Sequence, residues 1–297
     1  MASIYGWLSV DETYYSPDVL ELQKRTVANS NEQLLTTFEY KQYAAVGGHD
    51  LFSSPSSYSN DDYLAIIEGS LQWLDKSLEI IAVQENPAKA LLDGFLQYGN
   101  SVFKKIQGSF ALSILDRQRK LALLAVDPVG IRPLAYFFKN GLLVFGSQLN
   151  QVIAHPDVKA TIDSQAIFNY IYFHVIPSPD SIYKDIKKLQ PGEFIELKNE
   201  TIVRDFYWRP CYVRTRQSKS EMLEQLHEEL KKSVQVCAPT QQTGAFLSGG
   251  LDSSSVCGIY QELSDKPIDA FSIGFDAKGY DEMEYARITA KHFGFNL

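Results

Sequence analysis

The chain has 297 residues, 45% of them hydrophobic and 22% charged, with a formal net charge of −8. That length allows two domains and that composition is an ordinary globular one. The acidic balance argues against a broad nucleic-acid-binding surface. No apolar run reaches the roughly 18 residues of a membrane span, and the first ten residues have no basic segment leading into an apolar core. The three cysteines, Cys211, Cys237 and Cys257, show no metal-ligand spacing. A reduced cytoplasmic setting is expected, with neither membrane nor nucleic acid as partner.

Pro87–Tyr98 is the first strong helix candidate, with Ala88, Leu91, Leu92, Phe95 and Leu96 on one face. Residues 109–116, 121–127, 134–138 and 142–146 are β-rich runs separated by turn signals, of which Asn140-Gly141 is a strong hairpin signal. Residues 147–155 and 164–173 are further helix candidates, each led by a serine of good N-cap type. The pattern breaks near residues 207–218, around Pro210. A helix is expected over 220–236, with Met222, Leu223, Leu226, Leu230 and Val234 on its apolar side. Strand 244–247, helix 253–263, strand 269–275 and helix 280–293 follow, an alternation that predicts a parallel sheet. The chain therefore divides into a β-rich domain over 1–209 and an α/β domain over 210–297. The alternation stops at Leu297 where another strand is due, which reads as a truncated chain or a fragment.

The residues richest in chemistry are Ser248-Gly-Gly-Leu-Asp-Ser253, directly after the apolar strand 244–247. Gly249 and Gly250 lack Cβ atoms, so the backbone there turns sharply and comes close to a ligand. Amides at the start of the following helix, at its positive dipole end, form an anion site, and Ser248, Ser253 and Ser254 add hydroxyls. Asp252 is badly placed as a direct phosphate ligand and makes sense with Mg²⁺ between it and the phosphates. An ordinary strand–turn–helix is the plainer reading of the two glycines alone. The loop is not a Walker loop, because no lysine follows them. The histidines at 49, 155, 174, 227 and 292 are scattered, so surface or capping roles are expected for them. Asp127, Arg132 and Pro133 are expected to hold a turn and an ion pair.

The loop resembles the pyrophosphate loop of ATP pyrophosphatases. Four further blocks accompany it: Ile106-Gln-Gly-Ser-Phe-Ala-Leu, Asp127-Pro-Val-Gly-Ile-Arg-Pro, Phe145-Gly-Ser-Gln-Leu-Asn and Ile186-Lys-Lys-Leu-Gln-Pro-Gly. In this order the five look like asparagine synthetase and its relatives, densely over 100–297 and loosely before. The resemblance implies an α+β, Ntn-hydrolase-like domain of four αββα layers (class II glutamine amidotransferase-like), followed by part of an α/β ATP-pyrophosphatase domain. It also implies ATP and Mg²⁺ as cofactors, held by Phe246, Ser248, Gly249, Gly250, Leu251, Asp252, Ser253, Ser254, Ile273 and Glu282, with Asp252 at the metal. Phe246 and Ile273 match positions whose backbone contacts adenine, and their side chains also read as plain core residues. An N-terminal helix charge is the equal reading of Asp281-Glu282.

The departures bear on the first domain. The family's working glutaminases carry a cysteine after the initiator methionine, and here that position is Ala2. The family's Asn-Gly-Glu segment corresponds to Ile67-Glu-Gly-Ser-Leu, without the asparagine. Glu85-Asn-Pro-Ala-Lys stands near its expected aspartate, and Val126 replaces the arginine before Asp127. An inactive glutaminase domain is expected. The implied chemistry is adenylation of a carboxylate substrate, then attack by a nitrogen nucleophile with release of AMP. Free ammonia, an amine on the substrate itself, or a separate amine or partner glutaminase are the sources left. The missing cysteine favours the second, as in the β-lactam synthetases and lasso-peptide cyclases, with a precursor peptide as the corresponding partner. A homodimer is also admitted. The alternative, a non-catalytic scaffold or regulator, has no need of an intact phosphate loop.

Overall fold

A computed structural model describes residues 3–26, 35–41, 43–50, 55–198, 200–214, 216–237, 243–276 and 281–297. The chain falls into two compact units, Met1–Cys211 and Tyr212–Leu297, each with its own apolar core.

The first unit begins with β1 (Ser3–Ser9), α1 (Asp18–Arg25), β2 (Leu35–Lys41), β3 (Ala44–Asp50), β4 (Ser56–Ser59), β5 (Tyr63–Trp73), α2 (Lys76–Gln84) and α3 (Pro87–Tyr98). After a 3-10 turn at Gly99–Lys104 come β6 (Ile106–Asp116), β7 (Leu121–Val126), β8 (Ala135–Lys139), β9 (Leu142–Gly146), α4 (Leu149–Ile153), α5 (Ser164–Phe173), β10 (Ile186–Lys188), β11 (Glu193–Lys198) and β12 (Thr201–Phe206). Two antiparallel sheets result, ordered β10-β8-β9-β1-β3-β2 and β12-β11-β7-β6-β5-β4.

Side-chain alternation along the strands assigns the layers. Ile4 and Leu8 of β1, Leu64 and Ile66 of β5, and Leu124 and Val126 of β7 meet between the two sheets. The intervening residues face outward and meet helices. Ala65 and Ile67 of β5 and Leu112 and Ile114 of β6 pack with Leu78 of α2 and Leu91 and Leu92 of α3. Tyr5 and Trp7 of β1 pack with Val19 and Leu20 of α1 and Val152 of α4. Each buried Leu, Ile or Val among these contributes roughly 1.5–3 kcal/mol. The four-layer αββα arrangement expected for this domain is the one observed.

Local chemistry sets the boundaries. Pro87 opens α3, and the Asn86 side chain accepts from the amides of Ala88 (2.7 Å) and Lys89 (3.2 Å). Leu96, expected on the apolar face of α3, is half exposed. Asp163, and not the serine expected to lead the helix, caps α5, accepting from the Gln165 amide at 3.0 Å and placing Ser164 inside the first turn; His174 ends it in the left-handed conformation. The β8–β9 hairpin turns through Asn140 (φ 50°) and Gly141 (φ 74°), the positive-φ pair of a type I′ turn. The helix expected over 147–155 is shorter, α4, because the Ser147 hydroxyl is engaged by β1 and Glu68 and does not cap it.

The second unit contains α6 (Lys219–Cys237), β13 (Ala245–Phe246), α7 (Leu251–Glu262), β14 (Ala270–Phe271) and α8 (Met283–Phe293). β13 and β14 are parallel, and a parallel bridge joins Asp269 to Asn296. Leu247, Cys257, Ile268, Ala270, Ala286, Ala290 and Phe295 form the core. β14 is shorter than the expected strand 269–275, and α8 starts at Met283, not at 280; residues 277–280 lie outside the described residues. Of the apolar side expected on α6, only Val234 is buried, while Met222, Leu223, Leu226 and Leu230 are exposed. α7 and α8 close this core and leave the rest of that stripe uncovered.

Candidate functional site

Residues 247–250 connect β13 to α7 at the carboxyl end of the parallel pair, the place where open α/β sheets take ligands. Leu247 is buried and donates its amide to the Phe271 carbonyl at 2.8 Å, which anchors the strand side of the loop. Gly249 then adopts φ +86°, and a Cβ there would lie 2.6 Å from both the Ala286 nitrogen and the Tyr285 Cβ. Only glycine fits against α8 at this point. Gly250 caps α7 with no side-chain hydrogen bond, and the first intrahelical amide bond runs from Ser254 to the Gly250 carbonyl at 3.1 Å. The amides of Leu251, Asp252 and Ser253 thus open the helix without intrahelical acceptors, at its positive end.

Two hydroxyls converge on this end. Ser248 Oγ and Ser253 Oγ are 3.0 Å apart, the Ser248 amide donates to Ser253 Oγ (3.2 Å), and the Gly250 amide donates to Ser248 Oγ (3.3 Å). Ser254 is turned to another purpose, its Oγ lying 3.2 Å from Thr289 Oγ1 on α8. Asp252 is exposed in the first turn and makes no ion pair among the described residues. The described residues contain no group of three His, Cys, Asp or Glu able to hold a metal by themselves.

The other residues singled out from the sequence sit as follows. The Phe246 and Ile273 side chains are 84% and 73% exposed, so the reading of them as core residues is corrected: the core of this unit lies on the other side, under α7 and α8. Ile273 lies two residues past the end of β14. Leu251 is exposed. Glu282 is the residue before α8 and makes no capping bond; Asp281 starts the helix instead, accepting from the Met283 and Phe275 amides, each at 3.3 Å. Ala2 lies outside the described residues.

A second cluster, in the first unit, contains the turn and the ion pair expected of Asp127 and Arg132; the partners Glu68 and Ser147 were not foreseen. Ser147 Oγ accepts from the Ile4 amide (3.0 Å) and donates to Glu68 Oε2 (2.6 Å), while Glu68 Oε1 pairs with Arg132 at 3.3 Å. Asp127 holds the following turn, accepting from the amides of Val129 and Ile131 (3.0 Å each) and Arg132 (2.9 Å). Ser3 Oγ accepts from Gln151 Nε2. A buried carboxylate therefore sits in the hydrogen-bonded surroundings of the start of β1. Its trace in the sequence is an acidic residue closing the apolar run 64–67.

Two histidines depart from the expected surface or capping roles. His49 is buried with its ring against Tyr5, and His155 is buried against Trp7 and Tyr15, ring centroids 5.7 and 4.6 Å away. Burial drives the His155 pKa down to about 4.

With this geometry in hand, the chain is similar to known proteins in two stretches. Residues 84–208 match a family described as glutamine amidotransferase domain, and residues 225–297 match one described as asparagine synthase. A putative glutamine-hydrolyzing asparagine synthetase of Methanocaldococcus jannaschii is 31% identical over 211 residues, 69% of this chain and 41% of that protein. Glutamine-hydrolyzing asparagine synthetase 1 of Bacillus subtilis is 26% identical over 249 residues, 81% of this chain and 39% of that protein. An amidase of Gibberella zeae, chry2, is 24% identical over 234 residues, 68% of this chain and 33% of its own. The chain thus spans well under half the length of these relatives. The amidotransferase match begins after the stretch that contains Ala2 and Glu68. Among the described residues no helix is long and apolar enough to cross a membrane.

Proposed function

Because the chain belongs to the asparagine synthetase family, we propose that it serves an ATP-dependent ligase that adenylates a carboxylate and joins it to a nitrogen. The observation that carries this reading is the loop over residues 247–253, where Gly249 is seated against α8, the helix-opening amides of Leu251–Ser253 have no intrahelical acceptor, and the Ser248 and Ser253 hydroxyls lie 3.0 Å apart beside them. Such a site suits a pyrophosphate group. A substrate carboxylate oxygen attacks the α-phosphorus of ATP, the bond to the β-phosphate oxygen breaks, and pyrophosphate leaves with its charge held by those amides and by Ser248 and Ser253. The amine nitrogen then attacks the acyl carbon, loses its proton, and expels AMP. Phe246 and Ile273 offer backbone groups beside the loop for adenine.

Mg²⁺ fits the donor set, since Asp252 gives one hard carboxylate oxygen and the phosphates give the rest, as this ion prefers. When bound it neutralises phosphate charge. Glu282, the residue before α8, is a second acidic residue of this unit.

We assign no glutamine hydrolysis to the first unit. The Ala2 side chain has no nucleophilic atom, and the buried Glu68 carboxylate is engaged by Arg132 and Ser147 where the family places an amide-bearing side chain. The nitrogen then comes from an amine on the substrate, in preference to free ammonia. That one relative is named an amidase fits a family whose substrates vary.

Exchange of labelled pyrophosphate into ATP, measured with candidate carboxylates, tests the ligase reading. Carboxylate-dependent exchange is expected; no exchange with any carboxylate and no MgATP binding overturns it. Glutamate release from glutamine would overturn the assignment of the first unit.

A further inference from the structure

We infer that Thr289 of α8 is a positioning residue for the loop, acting through Ser254; the inference rests on the reading of residues 247–253 as a nucleotide site. α8 touches the loop region at two points. Ala286, fully buried, and Tyr285 form the seat that admits only glycine at position 249. Three residues further on, Thr289 Oγ1 meets Ser254 Oγ at 3.2 Å, on the same face of α8. Among the described residues this is the one side-chain hydrogen bond between α7 and α8.

The two contacts bracket the amides that matter. Gly249 precedes them and Ser254 follows them, and Ser254 is also the residue whose amide closes the first turn onto Gly250. Between these fixed points stand the amides of Leu251, Asp252 and Ser253, which have no intrahelical bond to hold their direction. A donor aims charge stabilisation only if its orientation is set before the ligand arrives. The glycine seat fixes where the loop lies, and the Thr289–Ser254 hydroxyl pair fixes the rotation of the first turn of α7. Ser254 is thereby read as a strut and not as a phosphate ligand, which separates it from Ser248 and Ser253.

The test compares the unaltered protein with Thr289→Val, Thr289→Ser, Ser254→Ala and the Thr289→Val/Ser254→Ala double variant. MgATP affinity is measured by titration calorimetry, and hydrogen exchange of the hydrogen-bonded Ser248, Gly250 and Ser254 amides is followed without nucleotide. Losing one such hydrogen bond predicts a roughly fivefold weaker affinity for Thr289→Val, a similar loss for Ser254→Ala, and no further loss in the double variant. Thr289→Ser restores binding, exchange of the loop amides quickens only in the weakened variants, and the melting temperature stays unchanged. Unaltered affinity and exchange in Thr289→Val overturn the inference, as does a Thr289→Ser variant as weak as the valine. If the unaltered protein binds no MgATP while Thr289→Val still quickens loop exchange, the nucleotide reading fails and the positioning role stands.

Discussion

Acidification from about pH 7 to pH 5 is expected to destabilise the first unit through His155. The ring is fully buried against Trp7 and Tyr15, and burial outweighs the opposing pull of Asp157, bringing its pKa from 6.5 to about 4. Asp157 is itself tied up, accepting from the Tyr15 hydroxyl at 2.5 Å. A histidine whose folded pKa is depressed stabilises the fold above its unfolded pKa, and loses that contribution as pH falls from 6.5 toward 4, because the unfolded chain takes up the proton first. Linkage over that interval gives about 2 kcal/mol lost between roughly pH 7 and pH 5. Urea unfolding followed by tryptophan emission reads this unit alone, since Trp7, Trp73 and Trp208 all lie in Met1–Cys211. His155→Gln keeps an acceptor for the Asp157 amide, which donates to the histidine Nδ1 at 3.3 Å in the unaltered chain. That variant should flatten the slope between pH 7 and 5 by about the same 2 kcal/mol. An identical slope in both proteins refutes the assignment.

Two other substitutions probe the clusters described above. Gly249→Ala places a methyl group 2.6 Å from the Ala286 nitrogen at φ +86°, so the loop must shift at a cost of about 1–3 kcal/mol; MgATP titration should show at least a tenfold loss, and unchanged binding would rule out this seat. Glu68→Ala leaves Ser147 and a one-third-exposed Arg132 without their buried acceptor, for an expected loss of about 2 kcal/mol in urea unfolding. A variant as stable as the unaltered chain would show the pair to be neutral.

Segments ended by local chemistry were legible in the sequence. α3, β9 and α5 have the expected bounds: Asn86-Pro87 and Asn140-Gly141 settle the first two, while α5 is capped by Asp163, not by the serine expected to lead it, and closed by His174. The opening strands were not legible for the opposite reason. β1 is buried on both faces, so it shows no alternation of apolar and polar residues, and the layer order came only from the resemblance. Ser147 looked like a helix cap, but its hydroxyl serves partners at residues 4 and 68, far away in the chain. The loop over 248–253 was visible because its chemistry is contiguous. Its support was not: Tyr285, Ala286 and Thr289 carry no chemical signature, and only packing joins them to Gly249 and Ser254.

The place of β1 in its sheet has a consequence for the making of the protein. It pairs with β3 on one side and with β9 on the other, so that Tyr5 sits beside both Gly47 and Gly146. A growing chain emits β1 first and its second neighbour last but three among the strands of this unit. From Ser9 to Leu142 the ribosome needs on the order of ten seconds or more. Throughout that time one side of a strand apolar on both faces has no partner, the condition under which nascent chains stick to one another. Slower growth at lower temperature or a chaperone that covers β1 should therefore raise the soluble yield, whereas stabilising the finished fold should not.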